Sequence, residues 1–341
     1  MKAIILAAGK GSRMRPITNQ IPKPLIPICN LPTLVFVVEK ILNSGIKDIG
    51  LVVSPENEDE FKKFINDFNL NKIVSIIIQE SPLGVAHAVK IAKDFIRNED
   101  FLLYLGDNII QEELKFFKNN FQEDSPDALL LLKEITDPKM FGVAEVNSKN
   151  ELIGIEEKPD NPRSNLAVSG IYFFKNKILK EIDNIDFSER GELEITAALQ
   201  NLVKNGYVKG LKLKGWWVDT GERNQTLEAN SLILEEIING KYSKFYEKYQ
   251  RKGNCIVGVN SKLENVEVKG NAIIGHNVTL YSTKLNKNVA ISNNLKIENS
   301  IITNSIILDQ NSFKNFEVTN SLIGSKYKNG VNKKIKDIID A

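Results

Sequence analysis

Between Val257 and Ile323 the apolar residues return every five or six positions, which matches neither the 3.6-residue turn of a helix nor the two-residue alternation of a strand. The series is Val257, Leu263, Val268, Ile274, Leu280, Leu285, Ile291, Ile297, Ile302, Ile307, Phe313, Val318 and Ile323. Asn-Ser-Ile-Ile stands at 299–302 and again at 304–307, and Asn-Ser-Leu-Ile-Gly follows at 320–324. A chain with this period buries its apolar positions by winding into triangular coils, each stacking its inward residue on the next, as a parallel β-helix. The competing arrangement is a β-sandwich with Asn-rich turns. The end of the chain, Lys326 to Ala341, reads as a charged tail with room for one short helix.

The first ~235 residues carry a different pattern. Short β-rich runs at 3–8, 48–54, 73–79, 101–105 and 128–133 alternate with helical patterns at 31–45, 56–68 and 85–96, and a last helix is expected over about 222–250. This alternation predicts an α/β layer with a mostly parallel sheet, whose ligands bind at the carboxyl ends of the strands. The expected division is a catalytic domain at 1–235, a linker helix at 236–252, the β-helix at 253–325 and the tail at 326–341.

Composition removes several function classes. Lys plus Arg (45) nearly equals Asp plus Glu (43), so no basic field calls for nucleic acid. Cys29 and Cys255 are the two cysteines and His87 and His276 the two histidines, which excludes a disulfide scaffold and argues against a structural zinc site or a Ser-His-Asp triad. No run reaches the roughly 18 apolar residues of a membrane span, so a cytoplasmic protein with no membrane partner is expected.

The densest chemical signal is LAAGKGSRMRP (6–16), directly after the first strand. Gly9 and Gly11 permit a tight turn whose N–H groups can converge on an anion, and Arg13, Arg15 and Lys23 form a basic rim. Neither GxxxxGK[ST] nor GxGxxG is present, which takes support from ATPase and dehydrogenase readings. In IPKPLIP (21–27) the prolines stiffen the segment around Lys23, a candidate triphosphate contact. In QESPLGVAHAV (79–89) the Gln79 amide suits a pyrimidine edge and Gly84 would let the backbone approach the base, whereas His87 reads as a satisfied helix residue. Asp107 in LYLGDNI and Asp219 in GWWVDTG each end a short apolar run, where carboxylates can hold Mg²⁺. Glu157 is placed to accept sugar hydroxyls, Lys158 to hold a phosphate and Gly142 to allow close approach. RGELEIT (190–196) reads chiefly as a capped helix start.

Taken in order, these segments resemble the sugar nucleotidyltransferase family, and most closely its long glucose-1-phosphate thymidylyltransferases. The resemblance covers residues 1 to about 235 closely and the repeat region more loosely. It implies a Rossmann-like domain followed by a left-handed β-helix, and an Mg²⁺-dependent reaction of dTTP, or UTP, with a hexose 1-phosphate. It assigns Ala8, Gly9, Gly11, Ser12 and Arg13 to the nucleotide loop, with Arg13 as the catalytic arginine and Lys23 as the proline-flanked lysine. Gln79 and Gly84 become base contacts, Asp107 and Asp219 the magnesium ligands, and Asn108, Gly142, Glu157, Lys158, Val168 and Tyr172 the sugar-phosphate contacts. Ala8 stands where many thymidylyl members have glycine and uridylyl relatives also have alanine, so UTP remains open beside dTTP. A non-catalytic sugar-nucleotide sensor, and a bifunctional enzyme whose β-helix transfers an acyl group, are the competing functions. A homo-oligomer is expected, with the β-helix serving contacts or regulation.

Overall fold

The computed structural model describes residues 1–308, 312–324, 333–336 and 339–340. The chain forms two compact units: Met1–Gly9 with Phe36–Trp217, and Lys10–Val35 with Val218–Ala341.

The first unit is built on a nine-stranded sheet. Its parallel part runs Val74–Ile78, Ile49–Val53, Lys2–Leu6, Phe101–Leu105 in spatial order. These are the apolar runs expected from the sequence, and Lys2–Leu6 sits between two neighbours, with Ile4 opposite Gly50 and Leu103. Continuous apolar runs suit such strands because both faces are covered. Beyond Phe101–Leu105 the sheet turns antiparallel through Leu166–Phe174, which also pairs with Ala128–Glu134 and carries the hairpin Gly142–Val146/Leu152–Glu157. The core under this sheet joins Ile4, Val52, Phe101 and Leu103 to Val89, Ile96, Leu199 and Leu202 from the helices. The helical pattern at 85–96 breaks into Val85–Ile91 and Lys93–Ile96.

In the second unit the repeat region is a parallel β-helix with three sheets as its sides. The inward residues stack in columns: Leu263 on Leu280, Ile297 and Phe313; Val268 on Leu285, Ile302 and Val318; Val257 on Ile274, Ile291, Ile307 and Ile323. All are buried except Leu263 and Val268, which lie on the first coil and have a coil on one side only. Burying one such side chain contributes about 1.5–3 kcal/mol, so the stack is the main source of this element's stability. The asparagines take the corners. Asn260, Asn277 and Asn294 all have φ near +60°, a conformation asparagine tolerates better than most residues, and their amides form a ladder with bonds of 3.3 and 3.1 Å.

Two expectations change. The last long helix is Arg223–Ile238, so no helix spans 236–252. Gly240 (φ +94°) stops it, its N–H bonding Ile237 O and the Lys241 N–H bonding Glu236 O, the pairing of a Schellman end. The tail contains no helix where it is described: Lys333–Lys336 pairs in parallel with Phe316–Thr319, and Ile339–Asp340 with Leu322–Ile323, so the coils continue past 325. Residues 326–332, 337–338 and 341 of the expected tail lie outside the described residues. In the structure residues 10–35 group with the C-terminal part of the chain, in the second unit. Bonds within this unit explain the grouping, because Cys29 N–H donates to Asn230 Oδ1 (2.9 Å) and Tyr246 Oη donates to Cys29 O (2.7 Å), both buried, and Asn30 Nδ2 donates to Ile291 O (2.9 Å).

Candidate active site

The candidate residues are distributed over both units, and the division falls inside the glycine-rich loop, after Gly9. Ala8 and Gly9 follow the first strand, with Ala8 part of the core of the first unit. Gly11 has φ +59°, and a Cβ there would lie 2.8 Å from Thr18 Cγ2, so the turn accepts no side chain without displacing its neighbour. The Thr18 hydroxyl donates to Gly11 O (2.9 Å), and Ser12–Met14 follows as a single 3₁₀ turn that carries Arg13 outward.

Within the second unit this turn faces a small ionic cluster. Arg13 Nη1 lies 3.2 Å from Glu222 Oε1 and Lys23 Nζ lies 3.5 Å from Asp219 Oδ1. A Cβ on Gly221 would be 3.2 Å from both Arg13 Nη2 and Asp219 Oδ1. The sequence candidates Arg13, Lys23 and Asp219 are thus neighbours, and Glu222 joins them without any sequence signal beyond its place beside GWWVDTG. Lys23 is largely buried and held by its flanking prolines, as the IPKPLIP segment implied.

In the first unit Asp107 follows the strand Phe101–Leu105. Asn108 is buried and its amide is fully directed: Nδ2 donates to Asp107 Oδ1 (2.9 Å) and Oδ1 accepts from Trp217 Nε1 (2.7 Å). Its observed contacts therefore orient the aspartate. Asp107 and Asp219 each supply hard carboxylate oxygens, the donor type that magnesium takes.

Glu157 centres a second cluster. A Cβ on Gly142 would lie 3.1 Å from Thr196 Cγ2, 3.4 Å from Glu157 Oε2 and 3.6 Å from Val168 Cγ2, so Gly142 keeps this floor open. Burial, then the nearby Glu194 charge, hold the Glu157 carboxyl above its ordinary value against the pull of Lys158, Arg190 and a Thr196 hydrogen bond. Tyr172 is buried and its phenol is pushed up, by burial first and then by Glu157. Lys158 keeps its ammonium half-exposed, 4.0 Å from Glu157 Oε1. The sequence-expected Gly142, Glu157, Lys158, Val168 and Tyr172 are brought together, and RGELEIT does more than open a helix. The Glu194 side chain makes no cap bond; it accepts from Arg190 Nη2 (2.7 Å) and the Ser188 hydroxyl (3.0 Å). Arg190 also lies 3.4 Å from Glu157 Oε1. Arg190, Glu194 and Thr196 are the residues the linear reading missed; the clustered charges of RGELEIT were the available signal.

Gln79 is buried after the strand Val74–Ile78. Gly84 does have a conformation reserved for glycine, φ +103°, but the space its missing Cβ leaves is filled by the Leu193 backbone, with O at 2.6 Å and N at 2.9 Å. The close approach seen at this glycine is to the chain itself. His276 Nδ1 accepts from Val259 N–H (2.8 Å) and its ring packs on Tyr249, a structural use that gives the acyl-transfer function no support. Among the described residues no helix is long and apolar enough to cross a membrane.

The family model described as nucleotidyl transferase matches residues 2–236. The nucleotidyltransferase Agl11 of low-salt glycan biosynthesis from Haloferax volcanii is 40% identical over 238 residues, covering 69% of this chain and 67% of that protein. A glucose-1-phosphate thymidylyltransferase from Streptomyces griseus is 42% identical over 239 residues, covering 69% and 66%. The bifunctional protein GlmU of Methanococcus aeolicus is 40% identical over 247 residues, covering 72% of this chain and 58% of its own length. Among solved structures, a Bacillus anthracis protein assigned as a glucose-1-phosphate thymidylyltransferase, in complex with sucrose, has a TM-score of 0.64 at 34% identity, covering 68% of this chain and 94% of that one.

Proposed function

The chain belongs to the nucleotidyl transferase family, as a sugar nucleotidyltransferase, and from that membership we propose that it condenses dTTP with glucose 1-phosphate and releases pyrophosphate. The observation that carries the sugar-phosphate side is the Glu157 cluster. A buried carboxylate with an open floor at Gly142 suits paired sugar hydroxyls, and the Lys158 ammonium beside it suits a phosphate. Support for thymidine comes from the QESPLGVAHAV, RGELEIT and GWWVDTG segments and from the thymidylyltransferase relative.

In this reading a phosphate oxygen of the sugar phosphate forms a bond to the α-phosphorus of the nucleotide while the α–β bridging bond breaks. The nucleophile is already an anion, so no general base is required, and the barrier is alignment and charge repulsion. Arg13 and Lys23 offset charge on the α-phosphate and the departing pyrophosphate, and Lys158 orients the attacking phosphate. Magnesium, assigned to Asp107 and Asp219, supplies neutralisation of phosphate charge when bound. A second reading keeps the reaction but takes UTP and glucose or N-acetylglucosamine 1-phosphate; Ala8 in the nucleotide loop favours it, as does the mixture of relatives.

The test is pyrophosphate release with dTTP, UTP, CTP, GTP and ATP against glucose, galactose, mannose and N-acetylglucosamine 1-phosphates in the presence of Mg²⁺. Highest kcat/KM with dTTP and glucose 1-phosphate is expected. Release with UTP alone replaces the first reading by the second, and binding with no release for any pair refutes the enzymatic reading in favour of a sensor.

A further inference from the structure

A glutamine amide has a donor end and an acceptor end, and only its neighbours decide which of them meets a ligand. At Gln79 the donor end is spent twice inside the protein. Nε2 lies 3.0 Å from His87 Nδ1 and 3.4 Å from Gly84 O, a carbonyl that also accepts the first bond of the following helix from Ala88 N–H (3.2 Å). Oε1 makes no hydrogen bond to the described residues. His87 stands in the first turn of the helix Val85–Ile91. Burial, then the Lys90 ammonium, hold its imidazole below the ordinary value, so the ring is neutral at neutral pH. Because the Gly84 carbonyl can only accept, the amide end facing it and His87 is the Nε2 donor, and Nδ1 takes that N–H in the tautomer whose own proton is on the ring Nε2.

We propose that His87 is a positioning residue for base selection: by accepting from Gln79 it fixes the amide with Oε1 as the outward end, so the site takes pyrimidines whose ring N3 carries a hydrogen. Uracil and thymine can donate that N3–H to Oε1. Cytosine presents a bare N3 lone pair, which would face the amide oxygen acceptor to acceptor. A site built around one hydrogen bond rejects a ligand that leaves its polar group unpaired. This selection does not separate thymine from uracil, whose hydrogen-bonding edges are alike. The inference rests on the reading of Gln79 as a base contact.

The experiment is calorimetric titration of the full chain with dTTP, UTP and dCTP in Mg²⁺, for wild type, His87→Leu, His87→Gln and Gln79→Leu, with steady-state kinetics alongside. Wild type is expected to bind dTTP and UTP at least roughly tenfold more tightly than dCTP, the worth of about one hydrogen bond. His87→Leu loses most of that ratio, with the loss appearing in KM for the nucleotide rather than in kcat. His87→Gln, whose amide oxygen can accept from Gln79, recovers it. A His87→Leu protein that keeps the wild-type ratio overturns the role of His87, as does failure of His87→Gln to recover a lost ratio, since packing alone would then explain the effect. Gln79→Leu separates the levels: if it abolishes the ratio the base contact stands, and if it leaves the ratio intact that contact falls and the inference with it. Wild-type protein that binds no pyrimidine triphosphate refutes the proposed substrates themselves.

Discussion

Replacing Gly84 by alanine tests the packing on which the Gln79 site is built. The backbone there has φ +103° and ψ 173°, a region open almost only to glycine, and holding alanine in it costs about 1–3 kcal/mol. The added methyl would also lie 2.6 Å from Leu193 O and 2.9 Å from Leu193 N, so the segment must retreat. Retreat sacrifices two backbone bonds, Leu193 N–H to Leu83 O (2.8 Å) and Ala86 N–H to Leu193 O (3.0 Å), each worth about 0.5–1.5 kcal/mol net. The expected loss is roughly 2–6 kcal/mol. Gly191→Ala is the control, because Gly191 also has a positive φ (+73°) but no atom within 4 Å of its Cβ position, leaving only the backbone cost of about 1–2 kcal/mol. Urea unfolding followed by the fluorescence of Trp216 and Trp217, which share a unit with both glycines, reads the difference. Equal midpoints and slopes for the two variants would refute the claim that the Leu193 backbone fills the site of the missing side chain.

Other outcomes follow from the same geometry. Leu285→Ala, fully buried in the column between Val268 and Ile302, is expected to destabilise the β-helix by about 2–5 kcal/mol, read as a lowered circular-dichroism melting transition. Asp107→Ala and Arg13→Ala should each lower kcat by roughly 10²–10³ with unchanged circular dichroism, and removing divalent ions with EDTA should abolish turnover until Mg²⁺ is restored. Wild-type rates in either variant would remove that residue from the machinery. Glu157 has its carboxyl raised in the folded state, so the folded protein holds that proton more tightly than the unfolded chain. The stabilisation this gives is complete below the ordinary carboxylate range and is lost as pH rises through the raised value. Glu157→Gln should therefore unfold at higher urea than wild type at pH 8, lose that advantage on acidification to about pH 4, and raise KM for the sugar phosphate. A stability difference independent of pH would contradict the burial argument.

The residues that repeat along the chain announced their structure by themselves. A period of five or six favours stacked coils over a sandwich, with Leu280 meeting Leu263 and Ile297, and the pairing in three sheets follows it column by column. The parallel strands were equally legible, because a strand covered on both faces must be apolar throughout, as AIIL and LVV are. Asn239-Gly240 likewise encoded the end of the last long helix, short of the 250 expected for it. Such signals lie within a few residues of one another, where backbone geometry alone relates them. The sites had to wait for the tertiary structure. Glu157 meets Arg190, Glu194 and Thr196 across more than thirty positions of sequence, and no local rule ties them. Gly84 is glycine because Leu193 fills its space, and the Gln79 amide nitrogen meets His87 Nδ1 from the following helix. Residue types and spacing set which chemistry the chain can offer; which end of an amide points outward, which carboxylate is desolvated and which glycine admits a neighbour depend on contacts made through space.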